Sequence, residues 1–231
     1  MLFHQLFEAE SSTYTYLLAD PAAKVAVLID PVIDTIERDT KLIQDLGLTL
    51  KYVCDTHVHA DHITAADELR KRLGALTCVS HHASLPCVDR PLKDGDSVVF
   101  GAYALRVLET PGHTPCSLSF VLPDRVFTGD TLLVRGCGRT DFQNGSSVEL
   151  FKSVRQKLFA LSDATLVYPG HDYKGHTATS IGMEKRLNPR LRDGMSEAEF
   201  VTIMATLGLA VPKKIHEALP ANLACGKRPA S

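Results

Sequence analysis

The run Thr56-His57-Val58-His59-Ala60-Asp61-His62 places three imidazoles and a carboxylate within six positions. Imidazole suits zinc, iron, copper and nickel, so this run reads as part of a metal site. Three later segments extend it. Leu105 to Leu108 leads through Thr110-Pro111-Gly112 to His113. Arg125 to Phe127 leads through Thr128-Gly129 to Asp130. Leu166 to Tyr168 leads through Pro169-Gly170 to His171. Each is a short β-branched or aromatic run, then turn residues, then a ligand type. The His run itself follows the strand-like Leu50 to Cys54. Ligands just beyond the ends of neighbouring strands converge at one edge of a sheet, where open sheets bind their ligands.

The inventory is His57, His59, Asp61, His62, His113, Asp130 and His171. A set of this size can fill two metal positions about 3.5–4 Å apart, the arrangement that clamps a hydrolytic water. A subset of two His and one carboxylate can instead hold one metal with open positions, as non-haem Fe(II) oxygenases do. Ligand types alone leave both open. Near Asp130 the loop Arg135-Gly136-Cys137-Gly138-Arg139-Thr140-Asp141 offers two arginines as clamps for substrate carboxylates. The bland alternative is that Arg139 pairs with Asp141. Cys137 lies between those arginines, and nearby cations could lower its pKa. Tyr173, two residues past His171, could hydrogen-bond a metal-bound species. His4, His81, His82, His176 and His216 read as surface residues.

The elements that must position these groups are strands with interposed helices. Strands are expected at Tyr14–Leu18, Val25–Ile29, Leu50–Cys54, Thr77–Val79, Val98–Phe100, Ala104–Leu108, Ser117–Leu122, Arg125–Phe127 and Thr165–Tyr168. Helices are expected at Asp34–Leu46, from Asp61 or Thr64 to Leu73, and at Ser147–Leu161, Thr177–Leu187, Ser196–Leu207 and Pro212–Ala218. This order suggests two packed sheets with helices outside. The expectation is one domain over 1–231, with a helical segment at about 175–225 packed on it and a frayed tail over 226–231.

The apolar share is 45% and the charged share 23%, as in globular proteins. A net charge of −2 gives no footprint for nucleic acid. No apolar stretch approaches the roughly 20 residues of a membrane span. Met1 to Glu10 has neither secretory nor transit-peptide character, so a cytoplasmic location is expected. The six cysteines form no C-x-x-C pair and read as free thiols, with Cys54 and Cys78 in the core.

The metal run, with PGH at 111–113, TGD at 128–130 and PGH at 169–171, resembles the metallo-β-lactamase superfamily. DTHVHADHIT at 55–64, RGCGRTDFQ at 135–143, HDYKG at 171–175, LNPR at 187–190 and PAN at 220–222 resemble more narrowly the persulfide dioxygenase, or ethylmalonic encephalopathy protein, family. The resemblance runs from about Phe7 to Gly226. It implies an α+β fold, the αββα sandwich of two mixed sheets with helices on both outer faces. It implies one Fe(2+) per chain on His57, His113 and Asp130. His59, Asp61, His62 and His171 would then orient the ligands instead of filling a second metal position, with Asp61, His62 and Tyr173 serving catalysis. Arg139, Arg135, Tyr173 and Lys174 would hold the glutathione part of the substrate. The implied reaction oxidises glutathione persulfide with dioxygen and water to sulfite and glutathione. A separate sulfurtransferase (rhodanese) and a homodimer are the expected partners.

Two departures stand out: Cys116 replaces a small residue after His113, and Thr64-Ala65-Ala66-Asp67 replaces a Gly-containing helix start. Both are expected to alter local packing or substrate fit, not the metal. The rival readings are a binuclear zinc hydroxyacylglutathione hydrolase of glyoxalase II type and a non-catalytic thiol-binding protein on the same fold.

Overall fold

A computed structural model describes residues 1–211 and 213–227. Pro212 of the expected last helix and residues 228–231 of the expected frayed tail lie outside the described residues. The first sheet runs in the order β1 (Leu2–Glu8), β2 (Thr13–Asp20), β3 (Val25–Ile29), β4 (Thr49–Cys54), β5 (Leu76–Ser80) and β6 (Arg90–Leu92). Its first three strands are antiparallel meanders and the rest are parallel. The second sheet contains β7 (Ser97–Phe100), β8 (Tyr103–Glu109), β9 (Leu118–Leu122), β10 (Arg125–Gly129), β11 (Leu166–Pro169) and β12 (Thr179–Ser180). They lie side by side in chain order, and only β10 and β11 are parallel. Both sheets are mixed, as expected.

Three apolar layers show why the sheets stack. Between them lie Tyr16, Leu18, Val27, Ile29, Cys54 and Cys78 from the first sheet, facing Phe100, Val107, Leu118, Phe120 and Phe127 from the second. The opposite face of the first sheet, with Leu17, Leu28 and Val53, is covered by α1 (Ile36–Asp45) and α2 (Ala66–Leu73). The opposite face of the second, with Val121, Val126 and Val167, is covered by α3 (Ser147–Lys152), its continuation over Ser153–Leu158, and α5 (Glu197–Ala205). Alternate residues of each strand thus serve two different layers, the period-2 rule of a sheet buried on both faces. The result is the αββα sandwich.

The helix ends follow their chemistry. Gly74 stops α2 in the left-handed conformation, and Ser196 with Glu199 forms a capping box at the start of α5. Three expectations need correction. The chain at Thr177 is not yet helical. Thr179–Ser180 first adds the edge strand β12, and Ser180 then caps α4 (Ile181–Leu187) by accepting from the Met183 amide. The last helix, α6 (Ile215–Leu223), runs past Ala218 and carries Pro220. The strands β1 and β6 were not anticipated.

The cysteines also differ from expectation in one pair. Cys87 and Cys225, 138 residues apart, are disulfide-bonded, with Cα atoms 6.2 Å apart. Cys54, Cys78, Cys116 and Cys137 are free and buried. Among the described residues no helix is long and apolar enough to cross a membrane.

Candidate metal centre

Five strands end at one rim, and each delivers a polar group there. β4 runs into Asp55 and the His run, β8 into the loop bearing His113, β10 into Asp130 and β11 into His171. β3 runs into Asp30, which the sequence reading passed over although Val25–Ile29 precedes it in the same strand-then-ligand pattern. Backbone bonds tie the two sheets together at this rim: the Leu118 amide donates to the Thr56 carbonyl at 2.7 Å, and the Tyr14 amide to the Gly170 carbonyl at 2.8 Å.

Two glycines let the chain close on the centre. A Cβ at Gly170 would stand 2.7 Å from Asp130 Oδ1, and one at Gly138 would collide with the Asp130 carbonyl. Side chains larger than hydrogen have no room at these positions.

The donor atoms of His57, His113 and Asp130 lie within 4.8 Å of one another, as do those of His59, Asp61 and His62. All seven anticipated residues are therefore gathered, but they are not equivalent. The Thr56 hydroxyl donates to Asp30 Oδ2 at 2.8 Å, so it accepts from His57 Nδ1 at 3.0 Å. That fixes the His57 tautomer with its lone pair on Nε2, which is buried with no hydrogen-bond partner. His113 Nδ1 donates to the Arg139 carbonyl at 2.7 Å, again leaving Nε2 as the lone pair. That Nε2 faces Asp130 Oδ2 at 3.6 Å. Asp130 Oδ1 is buried with no hydrogen bond and lies 3.5 Å from His171 Nε2. Buried polar atoms left without partners are rare and call for an explanation such as an ion. This donor set fits a divalent transition metal.

The other four are largely engaged with each other. Asp61 Oδ2 accepts from His62 Nδ1 at 2.9 Å and lies 3.5 Å from His171 Nε2. Thr13 Oγ1 touches Asp61, His62 and His171 at 3.3–3.4 Å. His59 Nε2 is paired with Asp30 Oδ1 at 3.1 Å. Only His59 Nδ1 and His62 Nε2 remain unpartnered in this half.

The electrostatics follow the packing. Burial, then the neighbouring rings of His59 and His113, hold His57 well below the usual imidazole range, so it stays neutral. Burial acts the same way on His59, but the charge and hydrogen bond of Asp30 outweigh it and lift the ring to about 9. Burial works to raise Asp61, yet His62 and His171 hold it well below the carboxylate range. Asp55, half-buried, is pushed up to about 7 by burial.

Asn222 is a residue whose role only the structure discloses. Its Nδ2 donates to the His59 and His62 carbonyls, both at 2.8 Å, and its Oδ1 accepts from the Thr64 amide at 3.0 Å. One buried side chain on α6 thus clamps the backbone of the metal run. The departure Cys116 lines the same wall, its sulfur 3.5 Å from the Val58 amide and 3.3 Å from Thr114 Oγ1. It packs against the run without reaching the donor atoms.

Both arginines bond to other parts of the chain. Arg135 pairs with Glu184, which is fully buried, and its Nη1 also reaches Thr179 Oγ1 at 3.2 Å. Arg139 forks onto Asp141 at 2.7 and 2.8 Å, bonds the carbonyls of Leu209 and Ala210, and lies over the Phe142 ring. Its pairing with Asp141 is the local alternative the sequence offers. Arg135→Ala is therefore expected to cost about 2 kcal/mol of stability. Chemical unfolding should read this, while the KM for a glutathione-bearing substrate stays within about twofold, since no substrate contact is removed.

Cys137 is likewise structural. It is buried against Met204, and burial pushes its thiol up to about 11 despite Arg190 nearby. The expected low-pKa thiol is absent because Arg135 and Arg139 turn elsewhere. Native protein treated with iodoacetamide at pH 8 is expected to leave Cys137 unmodified, with labelling appearing only on unfolding. Tyr173 is exposed and stacks on His171 with ring centroids 6.1 Å apart, and Lys174 beside it is exposed. An open cleft of about 260 Å³ beside the centre is lined by Val58, Thr114, Cys116, Gln143 and Leu219, among others. A second cavity behind His57 and His59, of only about 30 Å³, is too small for a tripeptide.

Comparison with known proteins decides between the reactions this geometry allows. Residues 10–171 match the metallo-beta-lactamase superfamily. The human protein named persulfide dioxygenase ETHE1, mitochondrial, is 49% identical over 98% of this chain and 89% of its own length. The crystal structure of ETHE1 from Myxococcus xanthus superposes with a TM-score of 0.95 at 55% identity, covering 98% of this chain and all of that one. This chain belongs to the persulfide dioxygenase family. It is an enzyme of that family, a persulfide dioxygenase on the metallo-β-lactamase fold. The hydroxyacylglutathione hydrolase of Brucella anthropi is only 34% identical, over 94% of this chain and 82% of its own, so the glyoxalase II reading is not favoured. The family also overturns the cytoplasmic expectation, because the human, bovine and mouse relatives are named as mitochondrial.

Proposed function

We propose that this chain oxidises glutathione persulfide with dioxygen and water to sulfite and glutathione, at one ferrous ion held by His57, His113 and Asp130. The observation that carries the ligand assignment is the difference between the two carboxylates: Asp61 Oδ2 is hydrogen-bonded by His62 Nδ1 at 2.9 Å, whereas the imidazoles of His113 and His171 stand 3.6 and 3.5 Å from the Asp130 carboxylate, which makes no hydrogen bond of its own. His57 Nε2 is buried without a partner, Asp130 Oδ1 is buried without a hydrogen bond, and both imidazoles present Nε2 because Thr56 and the Arg139 carbonyl hold their Nδ1 protons. When bound, ferrous iron supplies the electrons and open positions that couple dioxygen to a soft sulfur, which zinc cannot do.

The surrounding residues hold and shape the centre. Asp30 fixes Thr56 through its amide and hydroxyl, at 2.6 and 2.8 Å, and so orients His57 at one remove. Asp61 Oδ2 is held by His62 Nδ1 at 2.9 Å, and His171 Nε2 stands 3.5 Å from both Asp61 and Asp130, between the two carboxylates. Tyr173, over His171, and Lys174 stand where the glutathione part would approach, and the cleft beside Thr114 and Cys116 gives it a wall. Residues 1–231 act as one domain in this reading, supported by Asn222 of α6 bonding the metal run directly. A homodimer and a separate sulfurtransferase that consumes or supplies sulfane sulfur complete it.

The test is an oxygen electrode charged with purified protein and glutathione persulfide. Sulfite formed mole for mole with oxygen consumed is expected. Hydrolysis of S-lactoylglutathione at a comparable kcat/KM, with no oxygen uptake, would refute it.

A further inference from the structure

Outside the centre, His81, His82 and Glu109 form another cluster whose donor atoms all lie within 4.8 Å of one another. His81 Nε2 is 3.0 Å and His82 Nε2 is 3.7 Å from the same oxygen, Glu109 Oε1. Ligands each about 2.0 Å from a tetrahedral zinc stand roughly 3.3 Å apart, so these separations bracket that spacing. The rings lie close, with centroids 3.8 Å apart. We infer that His81, His82 and Glu109 form a second cation site, for a borderline divalent ion of the zinc type, at the rim of the substrate cleft.

The supports of the cluster are fixed. His81 and His82 sit on a single 3-10 turn, His81–Ala83, that follows β5. The buried Ser80 hydroxyl accepts the His82 amide at 3.2 Å. Glu109 ends β8. Its amide donates to Asp94 Oδ1 at 2.7 Å, and the Asp94 amide returns a bond to Glu109 Oε1 at 3.3 Å. Lys157 holds Asp94 Oδ1 at 2.8 Å, which keeps that carboxylate out of the cluster. Side-chain exposures of 34%, 49% and 22% leave the donors open to an ion from solvent and leave room for water as a fourth ligand.

Two imidazoles and a carboxylate are the ligand types zinc accepts at sites that keep one position open. The trio shares no residue with the proposed iron ligands. His82 also lines the 260 Å³ cleft with Thr114, Pro115 and Cys116, so a bound ion would sit at the edge of that cleft.

A plain hydrogen-bonded trio would show similar distances, and the experiment separates the two. Protein carrying its own metal is dialysed against graded Zn²⁺, and both metals are counted per chain. One added zinc with the resident metal unchanged is expected. His82→Ala and Glu109→Gln should each weaken that zinc by about tenfold or more, since losing even a ligand's supporting partner costs 10–100-fold. Gln retains the acceptor for His81 and for the Asp94 amide, so loss in that variant reports on coordination and not on folding. Equal zinc uptake by the parent and both variants would overturn the inference, as would zinc that enters only as the resident metal leaves. Neither count depends on which reaction the centre runs.

Discussion

Asp130→Ala is expected to abolish iron retention and, with it, persulfide-dependent oxygen uptake, by at least about 100-fold. That floor is the upper end of what losing a mere supporting partner costs a metal site. Asp130 contributes a carboxylate with no hydrogen bond of its own: Oδ1 lies 3.5 Å from His171 Nε2 and Oδ2 3.6 Å from His113 Nε2. Its backbone position is held independently, because the Gly138 amide donates to its carbonyl at 2.7 Å. The fold should therefore survive. Unchanged circular dichroism with lost iron is the expected pair of readings, and full activity in the variant would refute the assignment.

Asn222→Ala is expected to lower stability by roughly 4 kcal/mol. It orphans two carbonyls and one amide in a buried loop, and each such group costs about 1–3 kcal/mol. For a chain of this length the melting temperature should fall by roughly 8–16 °C. The same variant should retain less iron although Asn222 donates nothing to a metal, because His59, His62 and Thr64 lose their common anchor. Asn222→Asp keeps the acceptor for Thr64 but turns a buried carboxylate oxygen onto the His59 and His62 carbonyls, so it should cost at least as much as the alanine variant. Thermal melts read beside iron content check this. A melt unchanged in the alanine variant would show that the clamp is dispensable.

The metal centre was legible because strand ends repeat one local pattern. Cys54, Gly129 and Pro169 close strands that run to the same rim, so the residues after them meet there. Asp30 follows Ile29 by the same logic, but a lone aspartate before Pro31 reads as a turn, and its bonds to Thr56 and His59 are visible only in space. The arginines went astray for the opposite reason. Their loop composition suggests a clamp, but Glu184 and the carbonyls of Leu209 and Ala210, about 50–70 residues away in sequence, bond Arg135 Nη1 and the Arg139 guanidinium. The Cys87–Cys225 pair, 138 residues apart, carries no local signature either. His81 and His82 read as ordinary surface residues until β8 brings Glu109 beside them. Helix boundaries erred where a single strand pairing intervened, as at Thr179–Ser180.

Metal stoichiometry in the catalytically active protein tests the central claim most directly. Protein purified without added metal, assayed for turnover and for metals on the same sample, should contain one iron per active chain, with activity rising in proportion to iron. Two zincs per chain in the active form, or activity that persists after iron is removed, would contradict it.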